Sequence, residues 1–296
     1  MATETATGKK GAQKDVPTIL TEQVIQKLQK GIVPWRVSWV EAGIPENLIS
    51  HNAYRGINRI LLASVGCERN IFITSEQLKK IGGTLIPDEK PYVVSHLIDK
   101  KNKGKEGEAA AIPEEASGAK EPMKHSYYTV FNIAQCSIPP GITIPPVVLE
   151  DEPVQKIVEI RSREQVAYYN PLKDFINLPK ESHFDSKEER CYAEFHQLMH
   201  ATGYHSRLNR LGLIQMSEFG YDAFSLEELV AEIGASYFMS HFGMTEKFEP
   251  TPEYLAGWIK KFERNKWLML SAAQQAEKAI NFLFIGELEK EDMKIE

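Results

Sequence analysis

Cysteine is scarce in this chain of 296 residues: Cys67, Cys136 and Cys191 lie far apart and form no C-x-x-C pair. That spacing excludes a disulfide framework and a thiolate metal site, and it suits a reducing, cytoplasmic setting. Any metal must therefore be held by histidine and carboxylate. Long apolar runs are also missing. None reaches the roughly 20 residues of a membrane helix, so no membrane partner is expected. The opening residues MATETATGKKGAQKD contain no apolar core of a secretory signal, and residues 1–17 read as a disordered tail. Large apolar residues almost vanish again over 100–122, KKNKGKEGEAAAIPEEASGAKEP. Such a segment cannot bury enough surface to offset its own ordering entropy and reads as a mobile insertion.

What remains has the 42% hydrophobic and 26% charged composition of a globular protein, with length for two ordinary domains or one large one. Charge is unevenly divided: residues 1–105 hold 16 Lys and Arg against 10 Asp and Glu, whereas residues 151–296 hold 17 against 25. A basic front and an acidic back point to different partners, nucleic acid among the candidates for the front. Chance scatter over a mixed-charge surface accounts for the same numbers.

The periodicities give an α+β chain. TILTEQVIQKLQKG spaces Leu20, Val24 and Leu28 four apart and ends on Gly31, an amphipathic helix with its stop. GINRILLASVG reads as a second helix, NIFIT as a strand, and TSEQLKKIGG as a short helix capped by Thr74 or Ser75. PYVVSHLID and HSYYTVFNIAQC read as strands. The segment SIPPGITIPPVVLEDEP carries five prolines and marks a linker over 138–151. The boundaries are then a domain at 18–137 and a mostly helical one with a small sheet at 152–296. In the latter, EPVQKIVEIRSR reads as a helix, QVAYYNP and DFINLP as short strands. A helix follows over 186–202, with Ser186 and Glu189 in capping-box spacing, and another at SLEELVAEIGASYFMSHFG. Helices at PEYLAGWIKKFERN and LMLSAAQQAEKAINFLFIG complete the chain.

FHQLMHATGYHSRLNR places His196 and His200 one turn apart on one helix face, the spacing of the H-E-x-x-H zinc motif. Two histidines so spaced often carry no ligand at all. A catalytic zinc needs a third protein ligand, and the following helix offers Glu228, with Glu232 four residues later. Glu228 is assigned as ligand. Glu232 is placed behind the ligands, accepting a ring N–H of a histidine, and Glu227 is the fallback ligand. The blander readings are a capping box between Ser225 and Glu228 and a solvated position for Glu232. Gln197 occupies the general-base position: its neutral amide can hydrogen-bond a water but cannot take its proton. Zinc binding is thus expected with weak or absent hydrolysis.

IVPWRVSW and HNAYRGIN mix Trp35, Trp39 and Tyr54 with Arg36, Arg55 and Asn58. Aromatics interleaved with arginines suit single-stranded DNA, which needs stacking surfaces and phosphate partners. Each aromatic taken singly is as readily a core residue.

In order, the motifs PW…W, YRGIN, FITSEQLKKIGG and VFNIAQ resemble the N-terminal domain of ArdC-type antirestriction proteins of plasmids and phages. FHQLMHATGYHSRLNR, EELVAEIGASYF and SAAQQAEKAINFL resemble that family's zincin-like metallopeptidase domain. The likeness covers roughly residues 18–100, 125–136 and 152–285. It implies a single-stranded-DNA-binding front domain, a zincin fold holding Zn2+ through His196, His200 and Glu228, and protection of incoming, conjugated DNA from host restriction. It also implies a host restriction or DNA-bound protein as partner. Two positions depart from the family pattern: Gln197 stands where it has glutamate, and Tyr204 where it has histidine, with His205 displaced by one. The competing readings are an active DNA-dependent zinc peptidase, or a glutamate-to-glutamine inactivated form of one, and a binding module without metal.

Overall fold

The computed structural model describes residues 15–98, 110–111, 124–148, 153–213, 225–245 and 247–285. The tail expected over 1–17 falls outside these except for its last three residues, and the insertion over 100–122 except for Ala110 and Ala111. Val16 and Pro17 are already helical. Helix α1 (Val16–Gln29) starts where the Asp15 side chain accepts from the Thr18 N–H at 2.9 Å, with a proline in the first turn where its missing donor costs nothing. Its stripe of Leu20, Val24 and Leu28 is fully buried.

The front of the chain builds one mixed sheet. Strand β1 (Glu46–Asn47) runs parallel to β2 (Ile71–Ile73), and β6 (Lys124–Asn132) pairs antiparallel with both β2 and β4 (Tyr92–Ile98). Strand β5 (Ala110–Ala111) also pairs with β6, while β3 (Thr84–Leu85) forms a separate ribbon with β7 (Cys136–Ser137). Helix α2 (Gly56–Ala63) begins on Gly56 at φ +54°, and α3 (Ser75–Lys80) begins on a full capping box between Thr74 and Gln77.

The second half carries a small sheet in which β10 (Phe175–Asn177) lies between β8 (Glu159–Arg161) and β9 (Tyr168–Asn170). The helix expected at EPVQKIVEIRSR is not formed. Its apolar Val154, Ile157, Val158 and Ile160 have near-helical spacing, but residues 159–161 pair in parallel with β10. Backbone partners from a distant segment override the local pattern. Four helices follow among the described residues: α4 (Lys187–Thr202), α5 (Leu226–His241), α6 (Pro252–Arg264) and α7 (Leu268–Ile285). Helices α4 and α5 approach closely because Gly234 leaves room for Met199, whose Cε would lie 2.1 Å from any added Cβ.

The largest core does not respect the proline-rich segment between the halves. Val16, Leu20, Trp35, Ile57 and Leu61 join Leu198, Leu229, Phe238, Trp258 and Ala276 in one buried cluster. Helix α1 packs on α6 and α2 on α7, and the turn at Pro34–Arg36 packs on α5. A buried ion pair of 2.7 Å between Arg59 and Glu277 ties α2 to α7, and the same carboxylate accepts the Gly56 N–H at 3.1 Å.

Candidate metal centre

Helix α4 starts at Ser186, whose hydroxyl accepts the Glu189 N–H, while the Glu189 carboxylate reaches back to the Asp185 N–H. From there the helix runs unbroken into the interior, so that His196 is half-buried and His200 buried. Helix α5 starts at Ser225, whose hydroxyl accepts the Glu228 N–H at 3.1 Å. The capping contact and the ligand position coincide in Glu228: its backbone serves the cap while its carboxylate faces the histidines.

His196 Nε2 and His200 Nε2 lie 3.2 Å apart, and each lies 3.3 Å from a Glu228 oxygen, His196 from Oε2 and His200 from Oε1. Four ligands around zinc at about 2.0–2.1 Å are separated by about 3.3 Å along each tetrahedral edge. The three observed separations match that edge. Glu228 Oε1 is buried without a hydrogen-bond partner, and a buried acceptor left so is costly unless an ion takes it. These three side chains fit a divalent metal. They are the one grouping of histidine, cysteine or carboxylate with such convergence among the described residues.

Glu227, the fallback ligand, has the role expected of Glu232. Its Oε1 lies 3.2 Å from His200 Nδ1. Arg210 clamps the same carboxylate from the far side, Nε to Oε2 at 2.9 Å and NH2 to Oε1 at 2.6 Å, and also donates to Thr202 Oγ1 and the Met199 carbonyl. Gly203 makes this possible, since a Cβ there would sit 2.8 Å from the guanidinium. The expectation that Glu232 accepts from a histidine is corrected: its Oε2 takes the Trp35 Nε1–H at 2.8 Å and the Tyr254 hydroxyl. Those donors come from α6 and from a turn 197 residues away, partners that helix periodicity cannot foretell.

Burial disfavours a charge on His200, yet Glu227 and Glu228 outweigh it and raise the ring to about 9. Burial likewise opposes ionisation of Glu228, and the two histidines overcome it, holding the carboxyl at about 2. Metal-free, the raised histidine contributes stability that is complete below its unfolded value of 6.5 and lost as pH rises through about 9. The depressed carboxyl contributes stability above its unfolded value of 4.5 that is lost as pH falls toward about 2. A metal must displace the His200 proton. The rise in Tm on exchanging EDTA for zinc is therefore expected to grow from pH 6.5 to 9. A zinc-induced shift that stays flat or shrinks over that range would contradict this coupling.

Comparison with known proteins agrees with this architecture. Residues 14–131 match the N-terminal domain of the anti-restriction factor ArdC, and residues 152–275 match the zincin-like metallopeptidases. The metal-free crystal structure of the antirestriction ArdC protein from the R388 plasmid superposes with a TM-score of 0.67. It is 26% identical, over 91% of this chain and 97% of that one. Its Mn(II)-bound form gives 0.68 at 27% identity, with the same coverage. The two domain matches and both superpositions make this an ArdC-type chain. Curated relatives include a DNA primase TraC of Escherichia coli, 25% identical over 93% of this chain and 20% of that protein. A second TraC is 27% identical over 90% and 27% respectively. The ArdC-type chain thus spans about a fifth to a quarter of those proteins. An uncharacterized Sinorhizobium fredii protein, y4eC, is 24% identical over 91% of both chains.

Within this ArdC-type chain, His205 is exposed and outside the ligand group, and the ring of the half-buried Tyr204 lies tilted beside it. Gln197 is half-buried on α4 next to His196 and makes no hydrogen bond among the described residues. Most of the side chains expected to face DNA turn inward. Trp35 is 3% exposed and meets Trp258 and Phe262 edge-on. Trp39 packs on Tyr237, and Tyr54 lies edge-on to Phe72. Arg36 is sandwiched between Tyr192 and Phe248 at 3.9 Å from each ring, and the Asn58 amide is spent on the backbone of Ser95. Of the six, only Arg55 is exposed. Trp35, Arg36 and Trp39 mark the seam between the two halves, where apolar rings and a cation pack together, while Tyr54 belongs to the front half's own core.

Proposed function

We propose that this chain is an antirestriction protein of a mobile element, acting in the cytoplasm. It binds single-stranded DNA and carries zinc on His196, His200 and Glu228, with hydrolysis weak or absent because Gln197 replaces the general base. Its second partner is a host restriction or other DNA-bound protein. The observation that supports the metal part is the set of 3.2–3.3 Å separations among the three ligand atoms. The DNA part is supported by the match of residues 14–131 to the ArdC N-terminal domain and by the basic balance of residues 1–105.

When bound, zinc would acidify a water and polarise a carbonyl. The chain's own residues prepare the site. Glu227 holds the proton of His200 on Nδ1, leaving Nε2 to face the centre. Arg210 keeps Glu227 ionised against its burial. Gln197 can orient a water or a peptide through its amide but has no site for a proton. The front region then serves as the DNA-binding part and the centre as a rigid, metal-set surface.

Metal analysis of the purified chain, with a single-strand binding assay, tests this reading. About one zinc per chain is expected for the unaltered protein and none above background for His200→Ala. Absence of His200-dependent zinc removes the metal assignment. Single-strand affinity that falls steeply with salt is expected, and no binding at low salt removes the DNA assignment. Rapid, metal-dependent proteolysis by the unaltered chain would favour an active peptidase instead.

A further inference from the structure

Because the expected DNA-facing aromatics are buried, the front half must meet a nucleic acid elsewhere. A cleft of about 290 Å³ opens between the C-terminal half of α1, α2 and the start of β4. Three polar side chains of α1, Gln23, Gln26 and Lys27, and its C-cap Lys30 line it, at the i, i+3, i+4, i+7 spacing that puts them on one face. Across from them lie apolar Leu61 and the half-buried ring of Tyr92. No carboxylate lines the cleft, and among the described residues neither lysine is paired with one. The Lys27 ammonium is held 2.6 Å from the Ser64 carbonyl that closes α2, so it is fixed in place rather than free to follow solvent. Burial lowers its pKa, and the neighbouring Lys30 lowers it further.

We propose that this cleft seats one nucleotide of a single DNA strand, its phosphate between Lys27 and Lys30 and its base against Tyr92, with the Gln23 and Gln26 amides at the base edge. One cation held in place and a second, exposed one beside it, without an acid, suit a phosphate, an aromatic wall beside apolar side chains suits a base face, and amides tolerate any base edge. Only a strand whose bases leave the stack can enter, so a duplex is excluded. The assignment rests on the single-strand reading above and adds its location.

Fluorescence anisotropy of a labelled oligothymidylate with the full chain tests it. Lys30 is exposed, so Lys30→Glu leaves the fold intact. It is expected to weaken binding about tenfold and to flatten the dependence of affinity on salt by about one phosphate contact. Tyr92→Leu is expected to weaken binding at least about fivefold while leaving the salt slope unchanged. Lys80→Glu makes the same charge change at an exposed position on α3, outside the cleft, and is expected to cost less than about twofold. Equal losses for Lys30→Glu and Lys80→Glu overturn the cleft while single-strand binding stands. No binding by the unaltered chain overturns both.

Discussion

Exchanging Gln197 for glutamate is expected to raise zinc-dependent proteolysis by about 10²–10⁴-fold, the usual worth of a positioned general base. The surrounding structure is already arranged for it. Gln197 follows His196 on α4, its two neighbouring histidines converge with Glu228, and its amide has no partner among the described residues to be broken by the change. Glutamine and glutamate have the same length and branching, so the exchange adds a proton acceptor without altering packing. The measurement is release of label from fluorescent casein, with zinc and a single-stranded oligonucleotide present, by the two forms side by side. Equal rates would show that turnover is not limited at this position. The exchange should leave zinc content unchanged, because the residue is not among the ligands.

Removing the guanidinium of Arg210 is expected to be the most damaging single change to stability. Glu227 is 1% exposed and Arg210 is 6% exposed, so Arg210→Ala leaves a carboxylate in the interior without its guanidinium, with His200 Nδ1 as its one remaining partner among the described residues, and takes a donor from Thr202 Oγ1. Breaking a buried pair in this way costs about 3–5 kcal/mol. The same variant loosens the grip of Glu227 on His200, and disturbing such supporting contacts weakens metal affinity about 10–100-fold. Urea unfolding in EDTA isolates the first effect and zinc titration of the folded variant the second. A loss below about 1 kcal/mol would mean that Glu227 takes up a proton or finds another donor. Arg210→Lys keeps a charge but cannot fork, so it is expected to fall between the two.

The residues that local rules describe well are those whose partners are local. The capping of α3 by Thr74, the stripe of α1 and the pairing of His196 with His200 all follow from spacings of three or four along one helix. The third ligand was readable as one of a few carboxylates on the next helix. Glu228 is assigned there with Glu227 as the fallback, but spacing alone does not separate the two, because neighbouring positions on α5 differ by about 100° and the packing of α4 against it selects between them. Glu232 was misplaced because its donors, Trp35 and Tyr254, arrive from outside that helix pair. Trp35, Trp39 and Tyr54 turn inward for a related reason: alternating rings and arginines look alike in sequence whether they face a base or pack inside the molecule. Arg210 closes a motif visible in the sequence, but nothing in FHQLMHATGYHSRLNR announces that its last residue folds back to the glutamate before a ligand.

The core that Trp35 shares with Trp258 and Phe262 also bears on inheritance. A segment whose hydrophobic face is completed only by the other half cannot be passed between genes alone without exposing that face to water. The smallest heritable unit is then the pair, joined in this order. In the much longer TraC relatives, the aligned stretch covers 90% or more of this chain, both halves together.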